Sequence, residues 1–408
     1  MPSRVERLRV LDEMTAPDLW PDIRQREPGP VRNGPGVSPP GRRLFAAIVA
    51  LGVAIAGSLV VIRAFSADDA SRPLTASGAE RIVFSGAGGD AQIDLFSMNP
   101  DGSDVRRLTD TPSSEEQPTT SPDGSRIGFA LRERGDPTSY VIGVMDADGG
   151  NRGEIQGSRL EAGKPVDGPA WSPDGSKMAF AAYGDGGGIY VVGIDGGAPR
   201  RLTSAGPPTT HVDSDPVWSP SGDAVAFIRW FLGDSEERPA YEILEVPSGG
   251  GEPRLIARFP APTEGNPHDN GEVRGLSWSP DGSQLALATD GAIFTIDAEG
   301  GQPRELISCE PLGCDSGTDV FTDSTTWSSD GQRIAFTAWV NLPSARADPP
   351  VIYVATLTAS GATVTSSGAG GLFPVWQPLP ENADPSPDAT PARANPAVAW
   401  TVRPAARA

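Results

Sequence analysis

The chain has 408 residues, 49 of them Gly and 42 Pro, a composition that suits turn-rich β structure better than helical structure. With 33 basic and 53 acidic residues its net charge is -20, which argues against a nucleic-acid binder because a phosphate backbone calls for a basic face. Two His and two Cys are too few for zinc fingers, haem-attachment motifs or a dense disulfide scaffold.

At the N-terminus Val5, Leu8, Leu11 and Met14 recur every three residues, and Leu19, Trp20 and Ile23 follow Pro17. Residues 1–43 therefore read as a cytoplasmic segment with short amphipathic helices. Such helices either dock a cytoplasmic regulator or lie on the inner membrane surface, which Arg4, Arg7 and Arg9 favour. Leu44 to Ile62 follows as 19 residues without a charge. At about 1.5 Å per residue this run reaches close to the ~30 Å of a hydrocarbon core, so residues 44–63 are expected to form a transmembrane helix. Residues 1–43 hold 8 Arg against 6 acids, whereas the remainder holds 25 basic against 47 acidic residues. Positive-inside reasoning then predicts a single-pass protein of the plasma membrane, with its N-terminus cytoplasmic and its bulk extracytoplasmic. A cleaved signal peptide is the alternative, since Ala64-Phe65-Ser66 places small residues before Ala67. A leader of 43 residues and an apolar run of 19 are both long for one. Residues 64–79 read as a linker.

Beyond it a repeat sets the architecture. Its core is Trp171-Ser172-Pro173-Asp174-Gly175, Trp218-Ser219-Pro220-Ser221-Gly222, Trp278-Ser279-Pro280-Asp281-Gly282 and Trp327-Ser328-Ser329-Asp330-Gly331, with Thr120 in the Trp position of a fifth copy and Trp376 in a truncated last one. The Trp-equivalent positions 120, 171, 218, 278, 327 and 376 lie 51, 47, 60, 49 and 49 residues apart, the size of a four-stranded blade with its loops. Ser-Pro-Asp-Gly is a tight turn, in which Pro presets φ and Gly accepts the positive φ of a reversal. An apolar strand follows each turn, as in Ile127-Gly128-Phe129 and Met178-Ala179-Phe180. Next come a third strand such as Ile189-Tyr190-Val191-Val192, a Gly-rich hairpin, and a polar outer strand such as Arg200-Arg201-Leu202-Thr203. Residues 81 to 109 supply three strands without an inner one, and Phe373 to Gln377 supply an inner strand alone, so the two ends are expected to complete a sixth blade and close the ring.

These motifs resemble the TolB-like, PD-type WD-repeat β-propellers, whose hallmark is W-S-P-D-G, I-A-F, I-Y-V and R-R-L-T in series. The resemblance covers residues 80–378 and implies an all-β, six-bladed propeller of four-stranded blades. The α/β domain that precedes the propeller in secreted TolB has no counterpart in the short linker, so TolB's role in outer-membrane integrity is not carried over. Propeller peptidases related to prolyl oligopeptidase would need a hydrolase domain larger than the 30 residues after Pro378. Residues 379–408 are rich in Pro and Ala and read as a disordered tail.

No Ser nucleophile elbow and no His-Glu-x-x-His motif occurs. The candidate ligand-binding residues lie in the loops that lead into the inner strands, which this architecture gathers at one mouth of the central channel. They are His211, Asp213 and Asp215, His268, Asp269 and Glu272, and Asp319 and Asp323, with Glu115, Glu116 and Asp167 in the equivalent loops. Carboxylates and two imidazoles there would bind a cation or a basic peptide, and the resemblance adds that related propeller lyases use such residues with a metal. No cofactor is required, although a divalent cation at the mouth fits the donor set. The same residues also read as turn caps and a solvated acidic rim. Cys309 and Cys314 lie close enough for a small local disulfide outside the cytoplasm.

The function that follows is a membrane-anchored, non-enzymatic binding scaffold whose ring takes an envelope protein, peptide or glycan. One alternative is a transmembrane sensor with the layout of anti-sigma regulators, in which residues 1–43 signal to a cytoplasmic partner. The other is a metal-dependent lyase or hydrolase at His211 and His268.

Overall fold

The computed structural model describes residues 80–88, 92–134, 140–160, 166–183, 187–203, 211–231, 241–259, 273–289, 291–308, 319–341, 350–358, 361–378 and 399–401. The N-terminal helices, the span, the linker and both cysteines lie outside the described residues. Among the described residues no helix is long and apolar enough to cross a membrane. The chain divides into two units. One is Met1–Ala67 with Gly88–Gln92, of which only residues 88 and 92 are described; the other is Asp68–Ala87 with Ile93–Ala408 and holds the propeller.

The first blade joins β24 (Leu372–Gln377) to β1 (Arg81–Ala87), β2 (Ile93–Met98) and β3 (Arg106–Arg107), in that order from the innermost strand outward. The second runs β4 (Ser114–Thr120), β5 (Arg126–Arg132), β6 (Tyr140–Asp146) and β7 (Gly153–Glu154). The third runs β8 (Val166–Trp171), β9 (Lys177–Ala182), β10 (Gly188–Gly193) and β11 (Arg200–Arg201). The fourth is β12 (His211–Trp218), β13 (Ala224–Phe231), β14 (Tyr241–Pro247) and β15 (Arg254–Phe259). The fifth is β16 (Arg274–Trp278), β17 (Gln284–Thr289), β18 (Ala292–Asp297) and β19 (Arg304–Ile307). The sixth is β20 (Asp319–Trp327), β21 (Arg333–Asn341), β22 (Val351–Thr358) and β23 (Gly361–Gly370), with a fifth strand, β25 (Ala399–Thr401), on its outer edge. The six four-stranded blades and the joining of the two ends match the expectation from the repeat. β25 differs from the disordered tail expected over residues 379–408: its three residues pair antiparallel with Thr363, Val364 and Thr365, where an edge strand offers free backbone groups.

The second and third strands of each blade are the most buried, because they have a ladder on both sides and a neighbouring blade on each face. Phe84, Phe129, Phe180, Phe227 and Phe336 are all fully or almost fully buried. Between the third and fourth blades, Ala179, Ala181 and Ile189 pack against Val225 and Phe227. Burying such side chains contributes about 1.5–3 kcal/mol each.

The repeat motif builds its own turn. In the third blade the Gly175 amide donates to the Ser172 carbonyl at 2.8 Å, Ser172 Oγ donates to Asp174 Oδ1 at 2.6 Å, and the Ser176 amide donates to the same oxygen at 3.0 Å. Ser172 Oγ also accepts from the Lys177 amide at 2.9 Å. These donors hold the Asp174 carboxyl down at about 2, so it is ionised wherever the protein is handled. The turns stack around the ring: a Cβ at Gly222 would meet Pro173, one at Gly282 would meet Pro220, and one at Gly331 would meet Pro280.

Two of the repeated Trp residues tie their blade to the one before it, while the indole N–H groups of Trp171, Trp278 and Trp327 are buried without a hydrogen-bond partner among the described residues. Trp218 Nε1 donates to the Ala170 carbonyl at 3.2 Å, and Trp376 Nε1 donates to the Thr326 carbonyl at 3.1 Å. At the closure, Thr120 Oγ1 donates to the Trp376 carbonyl at 2.8 Å and Gln377 Nε2 donates to the Gly124 carbonyl at 3.1 Å. The Arg333 guanidinium lies 4.5 Å from the Trp376 ring centre and pairs with Glu80. Because this joint is non-covalent, Trp376→Ala is expected to lower ring stability by about 3–5 kcal/mol, read as a fall in the urea midpoint. Loss of less than about 1 kcal/mol would mean that the closure does not rest on this side chain.

Candidate functional site

The candidate residues that the structure describes do not lie in loops. The inner strands begin earlier than expected, so Glu115 and Glu116 are in β4, Asp167 in β8, His211, Asp213 and Asp215 in β12, and Asp319 and Asp323 in β20. They remain paired with the second strand because each inner strand absorbs its curvature in one bulge. Three residues before every Trp position, Gln117, Gly168, Asp215, Gly275, Ser324 and Phe373 all have φ between 49° and 60°. The inner ladders shift register at these places, as between Glu116 and Thr119 and between Asp167 and Ala170.

The bulges bring neighbouring blades into contact. The Gly168 amide donates to Gln117 Oε1 at 3.0 Å, and the Gly275 amide donates to Asp215 Oδ1 at 3.2 Å. Glycine is required at 275, where a Cβ would come within 2.3 Å of Ser324 Cα. The alternation of a polar side chain with a glycine therefore knits the belt together.

One residue before the bulge, the six inner strands carry Glu116, Asp167, Ser214, Arg274, Asp323 and Leu372, three acids and one base. Asp167 of the third blade interacts electrostatically with Glu116 of the second, Asp215 of the fourth and Asp323 of the sixth. Strands from non-adjacent blades at one level meet only across the axis, so this group occupies the channel. Burial pushes the Asp215 carboxyl up to about 6, with Asp167 and Asp323 adding to the rise. Asp323 and Glu116 are also raised by burial, opposed by Arg274 and Arg132 respectively. Arg274 Nη1 lies 3.8 Å from Asp323 Oδ2, and Arg132 Nη2 lies 3.1 Å from Glu116 Oε1. Tyr183 Oη donates to Asp167 Oδ2 at 2.6 Å, and its own phenol is pushed well up by burial and by the same carboxylates.

The structure thus brings Asp215 and Asp323 together with Glu116 and Asp167, and separates the rest of the candidate set. Asp213 is 1% exposed and lies in the body of the fourth blade, where Arg229 Nε and Nη2 donate to it at 2.7 and 2.9 Å and Thr203 Oγ1 at 2.7 Å. It is a structural ion pair. His211 sits at the start of β12 with its ring centre 6.1 Å from that of Phe231. Of Asp319 only the backbone is described, pairing with Asn341, and His268, Asp269 and Glu272 lie outside the described residues. Among the described residues no group of three or more His, Cys, Asp or Glu is placed to hold a metal ion. Sequence reasoning missed Arg274, Arg132, Tyr183 and Tyr140, whose ring centre lies 5.9 Å from the Arg132 guanidinium and whose phenol is pushed up by burial and by Glu116. Arg274 was within reach, since it stands at the same offset from Trp278 as Asp167 from Trp171. The other three come from second or third strands, whose approach to the axis no local pattern marks.

Removing the partner of the buried Asp213 leaves an uncompensated charge. Arg229→Met is expected to cost about 3–5 kcal/mol of stability at neutral pH, and Asp213→Asn in the same chain should recover part of it. Denaturant titration of the single and double variants measures both effects.

No family model matches the chain. It is 25% identical to the uncharacterized peptidase YuxL of Bacillus subtilis (strain 168) over 244 residues, 59% of this chain and 32% of that one. It is 35% identical to the Tol-Pal system protein TolB of Sodalis glossinidius (strain morsitans) over 81 residues, 20% of this chain and 18% of that one. The matched stretches therefore span a third or less of these curated relatives. Among solved structures, TolB from Acinetobacter baumannii superposes with a TM-score of 0.51 at 17% identity, over 74% of this chain and 68% of that one. The repeat, the ring closure and these likenesses agree that the chain carries a TolB-like six-bladed β-propeller.

Proposed function

We propose that this protein is a membrane-anchored, extracytoplasmic binding scaffold, and that the channel of its propeller receives a cationic group of an envelope protein or peptide. The observation that carries the reading is the convergence of Glu116, Asp167 and Asp323 from three blades on one axial level, with Asp215 of a fourth blade one residue further along its strand. Arg132 and Arg274 are the bases that act on them there, so the level keeps a negative excess. A low-dielectric channel focuses that excess on an incoming ammonium or guanidinium. The belt of bulges holds the carboxylates in place, which suits recognition by a rigid surface. A non-enzymatic role is part of this proposal, and the activity of the peptidase relative is not carried over from a match to a third of its length. The anchor is residues 44–63, with residues 1–43 cytoplasmic.

Full-length protein in detergent should bind a Lys/Arg-rich peptide and not its Asp/Glu-rich counterpart. Asp215, raised to about 6, is neutral below that value and anionic above it, so affinity for the basic peptide should rise as pH goes from 5 to 7. Asp167→Asn and Asp323→Asn should each weaken binding about tenfold. Equal affinity for acidic and basic peptides, or affinity that falls with pH, would overturn the reading.

The anchor is tested separately. The full chain should stay with membranes through an alkaline carbonate wash, and deletion of residues 44–63 should release it. External protease should remove the ring and spare residues 1–43.

A further inference from the structure

Five residues before the Trp position, the second and fourth blades solve the same problem differently. In the fourth, Asp213 stands opposite Arg229 across the β12–β13 ladder and receives its guanidinium. In the second, Glu115 stands at the same offset, and the residue opposite it in β5 is Leu131. Glu115 is 1% exposed. Its Oε1 accepts from Thr111 Oγ1, while its Oε2 is buried with no donor in full hydrogen-bond geometry, the Thr109 hydroxyl being the neighbouring donor that acts on this carboxyl. The position that Arg229 fills in one blade is therefore empty of positive charge in the other.

The surroundings do not supply it. From β2, Asp94 is fully buried and adds a second negative charge. Arg107 of β3 donates to Asp94 at 2.8 Å and is shared with Asp110 at 2.6 Å. Arg152, next to β7, acts on Glu115 more weakly than Asp94 does. From β5, Arg132 faces Glu116, and from β8 Asp167 acts on that same residue. β24 carries no charged side chain, and Ser85 of β1 accepts from the Gln117 amide.

We infer that Glu115 holds a proton in the folded ring, which makes the seam between the first and second blades a pH-sensitive joint, firmest in acid and loosened as pH rises. An ionised carboxylate with a buried, unpaired oxygen is costly, and a neutral acid lowers that cost without movement of the backbone, since burying an unpaired hydroxyl is penalised less than burying an unpaired charge. Burial is also the largest influence on Glu115 and shifts its carboxyl upward. A folded state that keeps a proton the unfolded chain releases loses stability as pH climbs past the unfolded value of about 4.3. The joint lies next to the blade whose inner strand β24 pairs non-covalently with β1, and it also carries the bond from Thr120 to the Trp376 carbonyl.

Thermal unfolding and amide hydrogen exchange of the full-length protein between pH 4.5 and 8 test this. Glu115→Gln should melt within about 1 °C of wild type at pH 4.5 and at least about 2 °C higher at pH 8, with stronger protection of β4 amides at pH 8 only. Leu131→Arg should raise the pH 8 melting temperature in the wild-type background and not in the Glu115→Gln background. If Leu131→Arg does not fold, the exchange comparison between wild type and Glu115→Gln decides alone. A difference between those two proteins that stays constant with pH, or a lower melting temperature for Glu115→Gln at both values, would overturn the inference.

Discussion

Six inner strands crowd around one axis, and the chain accommodates them by turning one residue of each into the left-handed region at the same level. Gln117, Gly168, Asp215, Gly275, Ser324 and Phe373 occupy this place. Only two of the six are glycine, although the conformation favours it, so the other four are held against a local preference by the ring around them. The bulge lets each strand bend while its ladder to the second strand continues on both sides. It also gives the channel its character, because the residue before it projects where residues of opposite blades meet.

Outside this belt the blades are joined by repeated small devices. A Trp indole donates to the previous inner strand, a turn glycine lies against the previous turn proline, and an arginine covers a neighbouring Trp ring, as Arg126 does Trp171 at 5.1 Å. Each is modest and none recurs at every seam, so different seams rely on different members of the set. The first blade differs in one respect: its inner strand arrives from the far end of the chain, so the backbone ladder from β24 to β1, helped by side chains, performs there what a covalent hairpin performs elsewhere.

Charge is distributed by the same geometry. Around the axis carboxylates are gathered with too few bases, a state suited to receiving a positive group. Within the blades a buried carboxylate is either fully paired, as Asp213 with Arg229, or left short, as Glu115 opposite Leu131. Asp213 and Asp215 are two residues apart in one strand and serve unrelated purposes, one in the blade body and the other at the axis.

Much of this was legible in the chain itself. The six Trp-equivalent positions, the Ser-Pro-Asp-Gly turns and the apolar triplets after them announce blade number, strand order and ring closure, because each is a local preference repeated at a fixed interval. The acids before each Trp were legible as a set for the same reason. The sequence could not say which of them meet: whether Asp213 or Asp215 reaches the axis depends on a bulge between them, and whether Glu115 or Asp213 finds an arginine depends on the residue opposite in another strand. Tyr183 and Arg132 joined the site for that reason too, whereas Arg274 stands at the repeat position that marks Asp167. Turns and strand periodicity are written in neighbouring residues, whereas the partners of a buried charge are chosen by residues 16 or more positions away, such as Arg229 for Asp213 and Tyr183 for Asp167, and only the closed ring places them.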